Sequence, residues 1–316
     1  MTGTAATFPA GIVPGCIMET VTTNHKQGVY GLQARMENHL LAKAATLFEG
    51  LEESTRSADV ETLHRLRITS RRLRVGLRLF AEVFPSTERR QACRHLRRLT
   101  RALGEVRTLD VNLQLLRAAR RRLAPETRDV QVQATRMLLA ERAEKLKALR
   151  ELAALLVASR FAARLEKMIR HTDRRLDSKR LLKSVREEVE RLRGVARQRF
   201  KRWEDKKNRR AFHRLRIAVK KYRYALESSG AVFGMPGKSR VDAVEDLQDL
   251  MGACHDVEIL LEWLESAKLD KSLARQVEWV SGCLREDYDQ HRRAAVEFLK
   301  KERRWAKKVR LELNHE

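Results

Sequence analysis

The sequence predicts an all-α protein made of two four-helix-type bundles related by pseudo-twofold symmetry, the product of an internal duplication. Three observations predict it. No proline falls between Pro125 and Pro236, and glycine is sparse, with 14 in 316 residues. Apolar residues recur at three- and four-residue steps, with no sustained period-two alternation. The stretch HRLRITSRRLR at residues 64–74 returns as HRLRIAVKKYR at 213–223, an offset of 149.

Residues 1–24 hold two of the five prolines and no Lys or Arg. They read as a flexible leader, or as sequence upstream of a start at Met18, and they lack the basic segment of a secretory signal. A first helix is expected over 29–51 and a second over 59–84, where Pro85 stops it. Ser86 suits the cap of a third, which Gly104 ends. A fourth begins near Thr108, and Pro125 is placed to be the first residue of a long fifth. After Asp177–Ser178 a similar order returns: 179–203, a helix capped by Asn208 and running through Ser228, then 238–251, 255–268 and 270–310. Further matches extend the repeat. Val83–Phe84 corresponds to Val232–Phe233 at 149, Leu103–Gly104 to Met251–Gly252 at 148, and Asp110–Val111 to Asp256–Val257 at 146. The repeats span about 26–176 and 177–312.

An apolar content of 43% supplies a real core, and 67 Lys and Arg against 42 Asp and Glu leave a net charge of +25. A fold with that self-repulsion calls for a polyanionic partner: nucleic acid, an anionic membrane surface or a phosphate polymer. Cys16, Cys93, Cys254 and Cys283 show no paired metal spacing and read as reduced thiols, two of them filling core. No stretch is apolar for the roughly 18 residues a membrane span needs. A cytoplasmic protein is the expectation.

On a helix, His64, Arg67, Arg71, Arg74 and Arg78 fall within an arc of about 80°, beside an apolar face of Leu63, Leu66, Leu73 and Leu77. The second copy sets His213, Arg216, Lys220 and Arg223 beside Leu215, Tyr222 and Leu226. A row of like charges destabilises its own helix by a few tenths of a kcal/mol per i,i+4 pair, roughly, and residues 64–81 contain no acid to relieve it. Arg90, Arg94, Arg97 and Arg101 share a face of the third helix, and Lys300, Arg303, Lys307 and Arg310 one near the C-terminus. From His64 to Thr108 there are thirteen Arg, no Lys and three Glu. The planar guanidinium donates paired hydrogen bonds to phosphate oxygens and stays charged at any working pH. Helices with such stripes facing one another would line a groove or channel for a linear phosphate-rich chain.

Three roles are open to His64 and His213. As metal ligands they find no carboxylate or Cys partner within the repeated stretch. As general bases they lack a nucleophile at a spacing common to both halves. Phosphate contact is the favoured role: a histidine ringed by Arg is neutral when the site is empty and gains a proton as an anion arrives. Asp110 and Asp256 are acids in basic surroundings, each expected to orient an Arg or cap a helix.

HRLRITSRRLR with LGEVRTLDV, and HRLRIAVKKYRYALE with LQDLMGACHDV, resemble the CHAD family, the conserved histidine α-helical domain. The resemblance spans about residues 26–312 and implies one domain of two helical bundles. It also implies inorganic polyphosphate as the ligand, held in a basic pore or groove. The binding positions it implies are His64, Arg67, Arg71, Arg72 and Arg74, with His213, Arg216, Lys220, Lys221 and Arg223. The turn before the Asp carries Arg107 in one half and His255 in the other, a departure that makes unequal binding an expectation. Nothing resembles the triphosphate-tunnel domain to which members are often fused.

A non-catalytic polyphosphate-binding protein, acting in the cytoplasm and on polyphosphate granules, is therefore expected, with no cofactor or metal. A non-specific nucleic-acid-binding protein is the alternative. Against it, aromatic residues are only 5%, few for stacking bases, and no helix-turn-helix signal is present. An enzyme of phosphate transfer would need a P-loop, a carboxylate cluster for Mg²⁺ or a Cys nucleophile motif, and the sequence has none of them.

Overall fold

A computed structural model of the chain describes residues 30–57, 59–172, 178–234 and 238–301. Among them the chain is helical with no strand: α1 Tyr30–Arg56, α2 Val60–Leu79, α3 Ser86–Arg120, α4 Arg128–Ala158, α5 Phe161–Arg170, α6 Ser178–Lys206, α7 Arg209–Phe233, α8 Lys238–Ser266 and α9 Ala274–Lys301. Short 3₁₀ turns lie at Ala81–Val83, Pro125–Thr127 and Lys271–Leu273. The expected leader, residues 1–24, lies outside the described residues.

The described residues form two compact units. One takes the chain up to Gly104, Lys147–Val185 and Ala231–Phe233; the other takes Glu105–Leu146, Arg186–Gly230 and the chain from Gly234 on. In the first unit α1 and α2 pack antiparallel at very short range. A Cβ on Gly50 would stand 2.6 Å from a Leu66 methyl, and one on Gly76 would stand 2.6 Å from a Leu40 methyl. Two glycines, one near each end of the contact, let the helices approach this closely. Met36, Leu40 and Leu47 of α1 and Leu63, Leu66, Leu73 and Leu77 of α2 are fully buried. Phe161 of α5 meets Phe48 edge to face at 5.8 Å.

The second unit has two apolar clusters. One joins Leu109, Leu113 and Leu116 of α3 to Leu138 of α4, Val257 and Leu260 of α8 and Leu284 of α9. The other joins Phe212, Leu215, Tyr222 and Leu226 of α7 to Leu247 and Met251 of α8 and Leu299 of α9. Its apolar α7 residues stand 149 positions after Leu63, Leu66, Leu73 and Leu77, so the repeated stretch buries the same positions twice. The caps repeat too. Asp59 accepts from the amides of Glu61 and Thr62 at the start of α2, and Asn208, again 149 later, accepts from that of Ala211 at the start of α7.

Several boundaries differ from those the sequence suggests. Gly104 does not end a helix, and no new one begins at Thr108: α3 runs unbroken from Ser86 to Arg120, with Ser86 as its first residue. A helical glycine costs only about 1 kcal/mol, and the buried Leu103, Val106 and Leu109 around it outweigh that. The same holds at Gly252, so that α8 is one helix. α2 stops at Leu79, earlier than 84, and a 3₁₀ turn carries the chain to Pro85. Pro125 opens a 3₁₀ turn leading into α4 rather than the helix itself. The long fifth helix is broken at Arg160, which adopts φ 49° and separates α4 from α5. α7 continues past Ser228 to Phe233, where Gly234 at φ 74° ends it.

Candidate functional site

In the first unit the basic stripe of α2 lies at the margin of the core. His64, Arg67, Arg71, Arg72 and Arg74 are half-buried and Arg78 is exposed, while on α3 Arg94, Arg97 and Arg101 are exposed. Arg67 crosses against α3 at its glycine, with the Nε 3.6 Å from where a Cβ on Gly104 would be.

The charges are crowded. Burial, then the nearby charges of Arg78, Arg71 and Arg97, push the Arg74 pKa below its ordinary value, with only Cys93 acting the other way. The Nε of Arg74 is buried and has no hydrogen-bond acceptor among the described residues. Arg65, on the outer side of α2, is by contrast paired with Glu53 at 3.1 Å. α1 contributes residues that the repeat did not point to. His39 has its pKa lowered by burial, then by Lys43 and by Arg72 of the stripe. Its only signal in the sequence is a position on a helix of undistinguished pattern.

In the second unit His213, Arg216 and Lys220 are half-buried and Lys221 is exposed. Burial lowers the His213 pKa, and Arg216, Lys220 and Arg209 lower it further, while Glu262 opposes them. The imidazole is therefore neutral near pH 7. His255 of α8 stands against it, with ring centroids 5.2 Å apart, and contacts Glu258 at 3.3 Å. Arg209 is paired with Glu258 and Glu262. Neither Glu258 nor Arg209 belongs to the repeated stretch, and only the i,i+3 spacing of His255 and Glu258 hints at the first.

His213, His255 and Glu258 offer ligand atoms within 4.8 Å of one another. Glu258 is already engaged by Arg209, and Arg209, Arg216 and Lys220 act together on His213. These surroundings suit an anion far better than a cation.

Arg223 departs from the expected ligand set. It is buried, its Nε 2.7 Å from Glu227 and its terminal nitrogen paired with Glu245. Burial works against its charge, but Glu227 and Glu245 more than offset it and raise its pKa. Arg74, at the matching position of α2, has no such carboxylates among the described residues: Glu227 is matched by Arg78. At the C-terminal stripe, Lys300 falls in α9 but its side chain is not described, and Arg303, Lys307 and Arg310 lie outside the described residues.

Asp110 is buried and holds the Arg142 Nε at 2.5 Å, so it orients an arginine from inside α3. Cys93 and Cys254 are buried free thiols and Cys283 is half-buried. Burial pushes the Cys254 pKa up to about 11. No described helix is long and apolar enough to cross a membrane.

Helices with doubled basic faces and doubled caps define an all-α class with charge concentrated at matched positions. The chain belongs to the CHAD domain family, whose model matches residues 39–265. It is similar to the crystal structure of the CHAD domain from the plant Ricinus communis, with 22% identity, 84% of this chain and 91% of that one covered, and a TM-score of 0.63. It is also similar to PptA from Streptomyces chartreusis, with 14% identity, coverage of 85% and 99%, and a TM-score of 0.60. A search of curated proteins finds no match.

Proposed function

We propose that the protein binds inorganic polyphosphate through the basic faces of α2, α3 and α7, and that it does so without catalysis. One observation carries this reading. Arg74 lies among Arg71, Arg78 and Arg97; burial, then these charges, depress its pKa, and its buried Nε–H lacks an acceptor among the described residues. A buried donor left unsatisfied costs about 1–3 kcal/mol, and the mutual repulsion adds to it. A phosphate chain relieves both at once, because every unit brings charge and acceptor oxygens with no base or sugar to seat. His213 supplies the matching element in the second unit, a neutral imidazole ready to take a proton. A place in the cytoplasm and on polyphosphate granules belongs to the same proposal.

Competition between ligands tests it. Near physiological salt, long-chain polyphosphate should displace bound DNA or RNA at equal phosphate concentration, and the reverse exchange should fail. Arg71→Glu with Arg216→Glu should weaken polyphosphate binding at least tenfold more than Arg117→Glu with Arg150→Glu, helicity being retained in both. Equal competition by nucleic acid, or equal loss in both pairs, would replace the proposal with a non-specific basic surface that binds nucleic acid equally well.

A further inference from the structure

The corner between α6 and α7 carries a second basic feature outside the repeated stretch. α6 ends as Lys207 takes φ 47° and donates its amide to the Trp203 carbonyl at 2.7 Å. Asn208 then caps α7. On the inner side, Phe200 and Trp203 of α6 and Phe212 of α7 form a chain of rings with successive centroids 5.9 Å apart, which fixes the corner. On the outer side lies a cavity of about 310 Å³, lined by Arg199, Arg202, Lys206, Arg210 and Arg214, with Asn208 and Ala211 between them.

The lining contains no acid and no aromatic ring. None of its five cations has a carboxylate partner among the described residues. Earlier on α6 the pattern is different: Arg191 is paired with Glu188 and Arg193 with Glu190, each at i,i+3. Acid is thus interleaved along one part of the helix and missing from the wall of the cavity. Five like charges around so small a volume repel one another, and their ordered company calls for a compact anion of several charges. Ala211 is the only apolar residue of the lining, and no aromatic ring is present to stack on a base. What the cavity can read is phosphate itself, by guanidinium forks.

We propose that this cavity is a separate site for a condensed phosphate group, of the size of pyrophosphate or a triphosphate. Such a group comes either from a free small molecule or from the end of a polyphosphate chain. The site stands apart from the stripe of α7: on a helix at 100° per residue, Arg210 and Arg214 point roughly 100° away from the His213–Arg216–Lys220 face. It does not depend on the stripes binding the polymer.

Titration calorimetry of the whole chain with pyrophosphate, tripolyphosphate, ATP and long-chain polyphosphate tests it. Arg202→Glu with Arg214→Glu should weaken pyrophosphate binding at least tenfold, and Arg117→Gln with Arg150→Gln, outside both the cavity and the stripes, should change it less than twofold; the stripe variant, Arg71→Glu with Arg216→Glu, is measured beside them. The milder pair Arg202→Gln with Arg214→Gln, expected to lose about threefold or more, serves if the double reversal perturbs the helices. ATP and tripolyphosphate should bind with equal affinity here. A chain-end source is supported if the cavity variants lower the number of long chains bound per protein, and a free small molecule if that number is unchanged while pyrophosphate binding is lost. Pyrophosphate binding unaffected by the cavity variants, or a tenfold preference for ATP, would overturn the proposal. Loss of long-chain binding in the stripe variant alone leaves this site intact, so the two readings fail separately.

Discussion

Arg223 separates a residue that holds the fold from one that meets a ligand, although it sits in the repeated stretch among the expected ligands. Its side chain is 8% exposed and Glu227 is 15% exposed, while Glu245, at 43%, faces water. Deleting one member of a buried ion pair costs about 3–5 kcal/mol because the other is left charged and dry. Glu245 regains solvent when the guanidinium goes, so the loss should fall to about 2–3 kcal/mol, carried mainly by Glu227. For a chain of this length that lowers the melting temperature by roughly 3–4 °C. Arg223→Met should therefore melt early by circular dichroism yet bind polyphosphate within twofold of the parent at a temperature where both are folded. Arg223→Met with Glu227→Leu should recover most of the stability, since well-packed apolar replacements of a buried pair are often neutral or better. Arg216→Gln should do the reverse, keeping its melting temperature and losing affinity. If Arg223→Met lost tenfold in affinity with an unchanged melting temperature, the assignment of this arginine to the core would be refuted.

Polyphosphate affinity should rise as pH falls from 8 to 6. Burial and the nearby cations hold the His213 pKa below its ordinary value, an arriving phosphate raises it, and between those two values binding takes up a proton. One such proton permits at most about tenfold in affinity per pH unit, and His213→Gln should flatten the profile measured by titration. Gly50→Val should destabilise the first unit by about 3 kcal/mol, since its Cβ would collide with the fully buried Leu66. Gly194→Ala, in open space on α6, should instead stabilise by about 1 kcal/mol, and denaturant midpoints distinguish the two.

Much of the fold was legible because its signals are local. Periodicity and missing proline announce helices, and Asn208 announces the cap of α7. The apolar positions of the repeat are buried in both copies, since a helix that keeps its pattern keeps its inward face. What the sequence concealed was tertiary. Gly104 and Gly252 read as stops, yet packing on either side carries both helices through. Arg160 takes a left-handed conformation that no residue type advertises. The site was half legible for the same reason. A stripe can be read along one helix, but whether Arg223 turns to a ligand or to Glu245 depends on another helix, as does the arrival of His39 beside Arg72 or of His255 beside His213. Residue type reports the charge, and only packing reports its company.

The spacing on the α2 face has a kinetic consequence. Arg67, Arg71, Arg74 and Arg78 there recur about every turn, roughly 5.4 Å along the axis, and carry the same charge. A uniform polymer laid on such a face meets nearly the same energy after each small displacement along its length. If polyphosphate binds there as proposed, many registers would compete on equal terms, so a long chain would gain from their number and be held without being fixed in place. It can creep lengthwise while no single step breaks every contact, and release proceeds from the ends. A surface of this kind retains a polymer while leaving it free to move.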